Sequence, residues 1–400
     1  MPSRRRFLSA LGVATLSGFA GCTTSADSPP PSETPPLEPE RHIYGADGNW
    51  SSFGCNAGNT RSVHGIDHGE APVDGVSEDW RVPVTDLQRN PPVVADGRVY
   101  LSTGSGLEVY DTSDGSELWQ TEGISDAPVV YNETVYVADD EANTVRALSV
   151  ETGEEQWTLE TEGSPVGPSL YPGTPLIVGV DEGVFGLNPE TGEPVWSRDL
   201  FGTVIAHPPV WNGFAAAVAT DAGEVSLLSL REGTGLQRFR LPATPIAPPS
   251  ADTDSVYVSC RNGTTYALQT GDSATGQQRW AVDTGWSPGG LGIDSGLVLA
   301  GSAQSLHAIE SDSGTVRWTH PIGEWRHTAP AIGRETIFIG GDRLWALDPT
   351  PDEGVFGSAP AVRYEKTFYG RVGPGPVLDD GVLYVVVETG EESTHLLALS

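Results

Sequence analysis

The chain has 400 residues, ample for one large domain, and its 49 Gly and 32 Pro suit a turn-rich all-β fold. Its formal charge is −32, and Lys366 is its single lysine. That balance excludes nucleic-acid binding, which needs a basic surface. It suits folding in strong brine, where a Debye length of about 3 Å near 1 M salt screens self-repulsion.

The front of the chain reads as an address. Ser3-Arg4-Arg5-Arg6-Phe7-Leu8 has the pattern of a twin-arginine export signal. Leu11 to Ala20 is apolar but too short for a stable membrane span. Phe19-Ala20-Gly21-Cys22 resembles a lipobox, in which Cys22 takes a lipid and becomes the new N-terminus. An uncleaved anchor would give the same topology. Residues 1–21 are thus expected to be a twin-arginine lipoprotein signal. Residues 22–43, with Pro29, Pro30, Pro31, Pro35, Pro36 and Pro39, are expected to be an extended tether. Residues 44–400 are left for the folded domain, an expected monomer held at the outer face of the cytoplasmic membrane. Beyond Cys22 the chain has Cys55 and Cys260. One disulfide is conceivable in an oxidising compartment, but their separation favours two buried thiols.

From residue 79 onward tryptophan keeps a beat. Trp80, Trp119, Trp157, Trp196, Trp280 and Trp318 recur about 40 residues apart, with one beat skipped. In the skipped beat Phe239 stands where a Trp should be, and Tyr364 marks a late one. Each interval holds four short strand-like runs with turn chemistry between them. The unit opening at Pro128 shows Val129 to Tyr131, Val135 to Val137, Thr144 to Val150 and Glu155 to Thr161. The eighth unit, from Pro376, has only three such runs, while Asp79 to Val84 has no companions of its own. Joining the two closes a ring. The spacing therefore predicts an all-β chain: an eight-bladed β-propeller of four-stranded antiparallel blades, closed by an N-terminal strand, with seven blades as the alternative count. The Trp residues and Phe239 are expected to dock blade on blade, each indole N–H meeting a carbonyl of the adjoining blade.

The run from Ala147 to Trp157 resembles the tryptophan-docking repeat of the pyrroloquinoline-quinone (PQQ) type propellers, Ala-x-Asp-x-x-Thr-Gly-x-x-x-Trp. Gly186 to Trp196, Val109 to Trp119 and Ala308 to Trp318 share its length. Asp111 keeps the family Asp, whereas Ser149, Asn188 and Glu310 replace it. Trp50 to Thr60 is similar to the opening segment of secreted members. The family includes quinone-dependent alcohol dehydrogenases and outer-membrane-assembly lipoproteins, so the resemblance implies fold more than function. Its enzymatic members hold PQQ above a Ca²⁺ ion, beside a disulfide between adjacent cysteines. This chain has no adjacent cysteine pair, and no set of metal ligands maps onto it.

Other catalytic patterns are missing: no Gly-x-Ser-x-Gly, no His-Glu-x-x-His, no Cys-x-x-Cys and no phosphate loop. Gly104-Ser105-Gly106 reads as a turn. Asp139-Asp140-Glu141 and Asp252 to Asp254 lack the ligand spacing of a calcium loop. What stands out is the placement of scarce basic residues. The links between units contain Arg89, Asn90, His207, Trp286, Trp325, Arg326, His327 and Arg371, gathered toward one mouth of the channel. Such a mouth would focus potential on an anion, a carboxylate or an acidic partner loop. The expectation is a lipid-anchored, non-enzymatic scaffold that binds a protein or small anionic ligand without a cofactor. The alternatives are a PQQ-dependent dehydrogenase, or a lyase or hydrolase with His207 or His327 as base.

Overall fold

A computed structural model describes residues 50–63, 70–85, 90–271, 277–325, 327–354 and 357–400. The export motif, Cys22, the tether, Arg89 and Arg326 lie outside the described residues. The described residues form strands and turns, with no helix.

Eight antiparallel sheets follow one another around a ring as an eight-bladed β-propeller. Blade 1 runs through Val93–Ala95, Arg98–Thr103, Gly106–Asp111 and Glu117–Thr121, innermost strand first. Blades 2 to 7 repeat the order. In blade 3 the innermost strand shrinks to one bridge, Ser169 with Ile177, because Pro168, Pro172 and Pro175 remove backbone donors. Blade 8 combines Val377–Asp379, Val382–Gly390 and Ser393–Leu399 with Glu78–Val84 as its outermost strand. Trp80 pairs with Ala398, so this indole belongs to the last blade.

Burial follows position in the blade. The second strands Thr134–Asp139 and Ala215–Ala219 are buried along their whole length. Neighbouring blades cover both of their faces, so these strands read as continuous apolar runs rather than alternating ones. Outermost strands such as Pro194–Asp199 are largely exposed. Between blades 1 and 2, Tyr100, Leu107 and Val109 pack with Val130, Val135, Val137 and Leu148.

The indoles join blade to blade. Trp119 Nε1 donates to Val150 O at 2.9 Å, Trp157 Nε1 to Pro189 O at 3.0 Å, and Trp196 Nε1 to Leu230 O at 2.8 Å. Trp80, Trp280 and Trp318 donate in the same way to Thr112, Ser311 and Pro349. Each of the first five lies over a glycine with positive φ in the next blade: Gly115 under Trp80, Gly153 under Trp119, Gly192 under Trp157, Gly233 under Trp196 and Gly314 under Trp280.

Phe239 does not hold the indole's place in the skipped beat. Ala267 pairs with Trp280 just before a bulge in blade 5, and in blade 4 the equivalent Leu227 pairs with Gln237. Phe239 sits two residues further on, buried against Val256 and Val258. The Gln237 amide donates to Gly271 O at 3.4 Å, in the manner of an indole N–H. Tyr364 does hold the register, opposite Ala346. Its lateness comes from the long hairpin Leu344–Gly354 and Gly357–Lys366. Blade 8 offers it no hairpin turn between its last two strands. Tyr364 instead donates to Pro72 O at 3.1 Å, on the segment leading into the closing strand.

Candidate functional site

The face that carries the links between blades also carries the turn between the second and third strands of each blade. Link and turn meet there: a side chain on Gly163 would strike Asp181, one on Gly202 would strike Asp221, and one on Gly323 would strike Asp342. The central channel opens on this face, but its inner wall is already engaged.

Residues 50–63 form a strap across the innermost strands. Trp50 O accepts from Val94 N in blade 1 and Ser51 O from Val130 N in blade 2. Ala57, Gly58, Thr60 and Arg61 carbonyls accept from Val210, Ala251, Ile293 and Ile332 of blades 4, 5, 6 and 7. The strap satisfies donors that the channel would otherwise leave to water. Its curvature rests on left-handed residues, Cys55 at φ 76°, Asn59 at 54° and Arg61 at 55°.

Strap side chains reach toward the links. Asn59 Nδ2 donates to His207 O at 2.7 Å and Pro249 O at 3.0 Å. Arg61 Nη2 donates to Gly289 O at 2.9 Å, and its guanidinium lies 4.7 Å from the Phe53 ring centroid. Arg61 is fully buried and forms no ion pair among the described residues. Burial lowers its pKa to about 10. Cys55 and Cys260 are buried thiols, not a disulfide. Cys55 donates to Ser62 O at 3.3 Å. Burial raises both thiols, Cys260 to about 12.

His207 is not at the mouth. Its ring stacks on Phe53 with centroids 4.5 Å apart and planes 3° from parallel, and it is almost wholly enclosed. Nδ1 lies 3.1 Å from Pro168 O. Burial depresses its pKa, against the opposing pull of Asp126 and the Pro168 carbonyl. Asn90 is half-buried and donates to Ser125 O and Asp126 Oδ1 at 3.2 Å.

Three of the expected residues do come together. The Arg371 guanidinium lies 4.6 Å from the Trp325 ring centroid, and His327 meets the same ring edge-on at 5.7 Å. Arg371 is exposed and forms no ion pair among the described residues. Stacking fixes the cation in place while leaving its N–H edges open. Trp286, 44% exposed, is fixed separately: its Nε1 donates to Arg261 O at 2.8 Å. Sequence reasoning missed Tyr369 and Phe201, which are 64% and 60% exposed and also lie on links. Aromatic residues in links opposite polar turns were the available signal. Among the described residues no group of three or more His, Cys, Asp or Glu is placed to hold a metal ion.

Comparison with known proteins adds a lineage. A family model described as outer membrane protein assembly factor BamB matches residues 73–268 and 268–355. The chain is similar to the protein of that name from Moranella endobia (strain PCIT), 22% identical over 282 residues, 62% of this chain and 71% of the relative. It is also similar to serine/threonine-protein kinase AfsK of Streptomyces griseus, 26% identical over 204 residues, which are 47% of this chain and only 20% of the kinase. Among solved structures, BamB from Moraxella catarrhalis superposes with a TM-score of 0.62 at 17% identity, covering 82% of this chain and 98% of the other. Quinohemoprotein alcohol dehydrogenase from Comamonas testosteroni gives 0.66 at 15%, covering 90% and 81%. At such identities the superpositions show the fold alone.

Proposed function

The chain belongs to the family described as outer membrane protein assembly factor BamB, and from that premise we propose that it is a non-enzymatic scaffold that binds a protein partner on its link face. Export by the twin-arginine route and a lipid on Cys22 would hold it at the outer face of the cytoplasmic membrane. The observation that carries the reading is Arg371: an exposed guanidinium, fixed on Trp325 and without an ion pair among the described residues, in a chain of charge −32. Several other arginines are spent on neighbours, as Arg279 is on Asp312 and Arg363 on Asp348. Exposed aromatics and arginine are what protein interfaces favour.

The PQQ reading draws less support. The strap occupies the channel wall, Phe53 and Arg61 fill the space beside His207, and the adjacent cysteine pair of the enzymes is missing. These residues do not make a cradle for a planar quinone.

The test is capture by the full chain from membranes of its own cells, wild type against Trp325→Ala with Arg371→Ala, with Cys22→Ser followed for release from the membrane. The expected result is one partner captured by the wild type and lost from the double variant. Equal capture by both, or dye-linked alcohol oxidation after addition of PQQ and Ca²⁺, overturns the proposal.

A further inference from the structure

Arg61 carries a positive charge into the interior with no counter-charge among the described residues. It is wholly buried, its Nη2 donates to Gly289 O at 2.9 Å, and its Nη1 has no hydrogen-bond partner among the described residues. The acids around it are turned elsewhere. Asp294 accepts from Ser62 Oγ at 3.3 Å, Asp379 bears on the Cys55 thiol, and Asp283 and Glu324 are exposed. A buried cation left unpaired is costly, so its charge asks for an answer from outside the chain.

Two further donors lie against it. Ser287 and Thr328 are wholly buried, and neither hydroxyl has a hydrogen-bond partner among the described residues. They stand on the links into blades 6 and 7, and Ser287 lies two residues before the glycine whose carbonyl holds Arg61. A Cβ on Gly290 would stand 3.2 Å from Arg61 Nε, and one on Gly289 would stand 2.2 Å from Thr328 O. The guanidinium, residues 287–290 and the Thr328 backbone are therefore packed side by side. Each of the three unsatisfied groups can donate, and none is negative.

We propose that Arg61, Ser287 and Thr328 hold one monatomic anion, of the halide class, at the channel end of the links into blades 6 and 7. An anion answers both the donors and the charge, whereas a water answers only the donors. With Arg61 Nη2 spent on Gly289 O, the bidentate grip by which arginine takes a carboxylate or a phosphate is broken. Enclosure sets the size: none of the three atoms meets solvent, which leaves no place for the several atoms of an oxyanion. Arg61 belongs to the strap and the two hydroxyls to the links, so the ion ties the strap to the ring. This goes beyond the scaffold reading and does not depend on it.

Melting of the full chain at fixed ionic strength, with chloride replacing methanesulfonate, tests this, because screening then stays constant. The melting temperature is expected to stay flat at low chloride and then to climb about 2 °C for each tenfold increase, with bromide acting alike. Arg61→Met should abolish the climb. Ser287→Ala with Thr328→Val keeps the guanidinium and should move the onset to about tenfold higher chloride; it decides the matter if Arg61→Met does not fold. A crystal soaked in bromide should show the ion within hydrogen-bonding distance of Arg61 Nη1. No climb in the wild type, the same climb in the wild type and the variants, or bromide found only away from Arg61 overturns the proposal. Each of these results leaves the scaffold reading standing.

Discussion

Trp119 of blade 1 lies directly over Gly153 of blade 2, so close that a Cβ on the glycine would sit 2.6 Å from the indole. Gly153 also has a φ of +70°. Two demands therefore meet in one residue, a left-handed backbone and an empty side-chain position.

Gly153→Ala is expected to cost about 3 kcal/mol, from about 1–2 for the left-handed alanine and the rest from overpacking. Gly296→Ala is the control: its φ is +78°, with no atom within 4 Å of the new Cβ. It should cost only about 1–2 kcal/mol. Denaturant midpoints of the two variants separate the terms, and equal losses would refute the docking role.

Trp157→Phe removes the donor to Pro189 O and keeps most of the apolar ring. A loss of about 1 kcal/mol in denaturant unfolding is expected for the hydrogen bond, with a smaller share for lost area. Gln237→Leu, which removes the amide donor to Gly271 O at 3.4 Å, should cost less, because its bond is longer than the 3.0 Å bond of Trp157.

Acid should loosen the ring through histidine. Burial is the leading cause that holds His207, His307 and His320 below the ordinary value of 6.5. The unfolded chain takes up protons near that value while the folded chain resists them. Stability is therefore unaffected well above pH 6.5 and falls as pH drops through and below it. Asp126, Arg61, Phe53 and the Pro168 carbonyl are the groups that face His207. His207→Asn, which tolerates the φ of 51° at that position, should flatten the fall in melting temperature between pH 7.5 and 5. An unchanged slope would remove His207 from the account.

Arg61 is a buried cation with no carboxylate partner among the described residues. Arg61→Met keeps the length of the side chain, removes the charge and gives up the bond to Gly289 O. It should be within about 1 kcal/mol of wild type, since apolar replacement of buried charge is often neutral. Arg61→Ala leaves a cavity beside Phe53 and should cost about 2–5 kcal/mol. Calorimetry of both variants decides whether Arg61 acts as filling or as charge.

The blade count and the place of Trp80 were legible because a repeat writes its period into the chain. The skipped beat was misplaced by reading the aromatic residue rather than the interval. Gly115, Gly153, Gly192 and Gly314 each stand four residues before their Trp, and Gly233 stands four before Gln237, not Phe239. The strap was legible only as a likeness of Trp50 to Thr60 to secreted relatives. It has no alternation, and its bonds run from its own carbonyls to six distant blades. His207 looked like a channel residue because its link does reach the channel. Nothing local says that Phe53 covers it.

The seam between Glu78–Val84 and Ser393–Leu399 has a kinetic consequence. Trp80 and Ala398 are partners across almost the whole domain, so their pairing bears a larger loop-closure penalty than any hairpin inside a blade. A ring sealed so late is expected to open there in a sub-global step short of full unfolding. The strap stands against this. Trp50 bridges to blade 1 and Ser62 to blade 7, on either side of blade 8, and both ends share one apolar cluster with Trp80, Val377 and Leu378. Hydrogen exchange at the seam therefore reports on the strap: slow amides at Val82 and Leu396 would mean that opening the ring requires the whole N-terminal segment to leave the channel first.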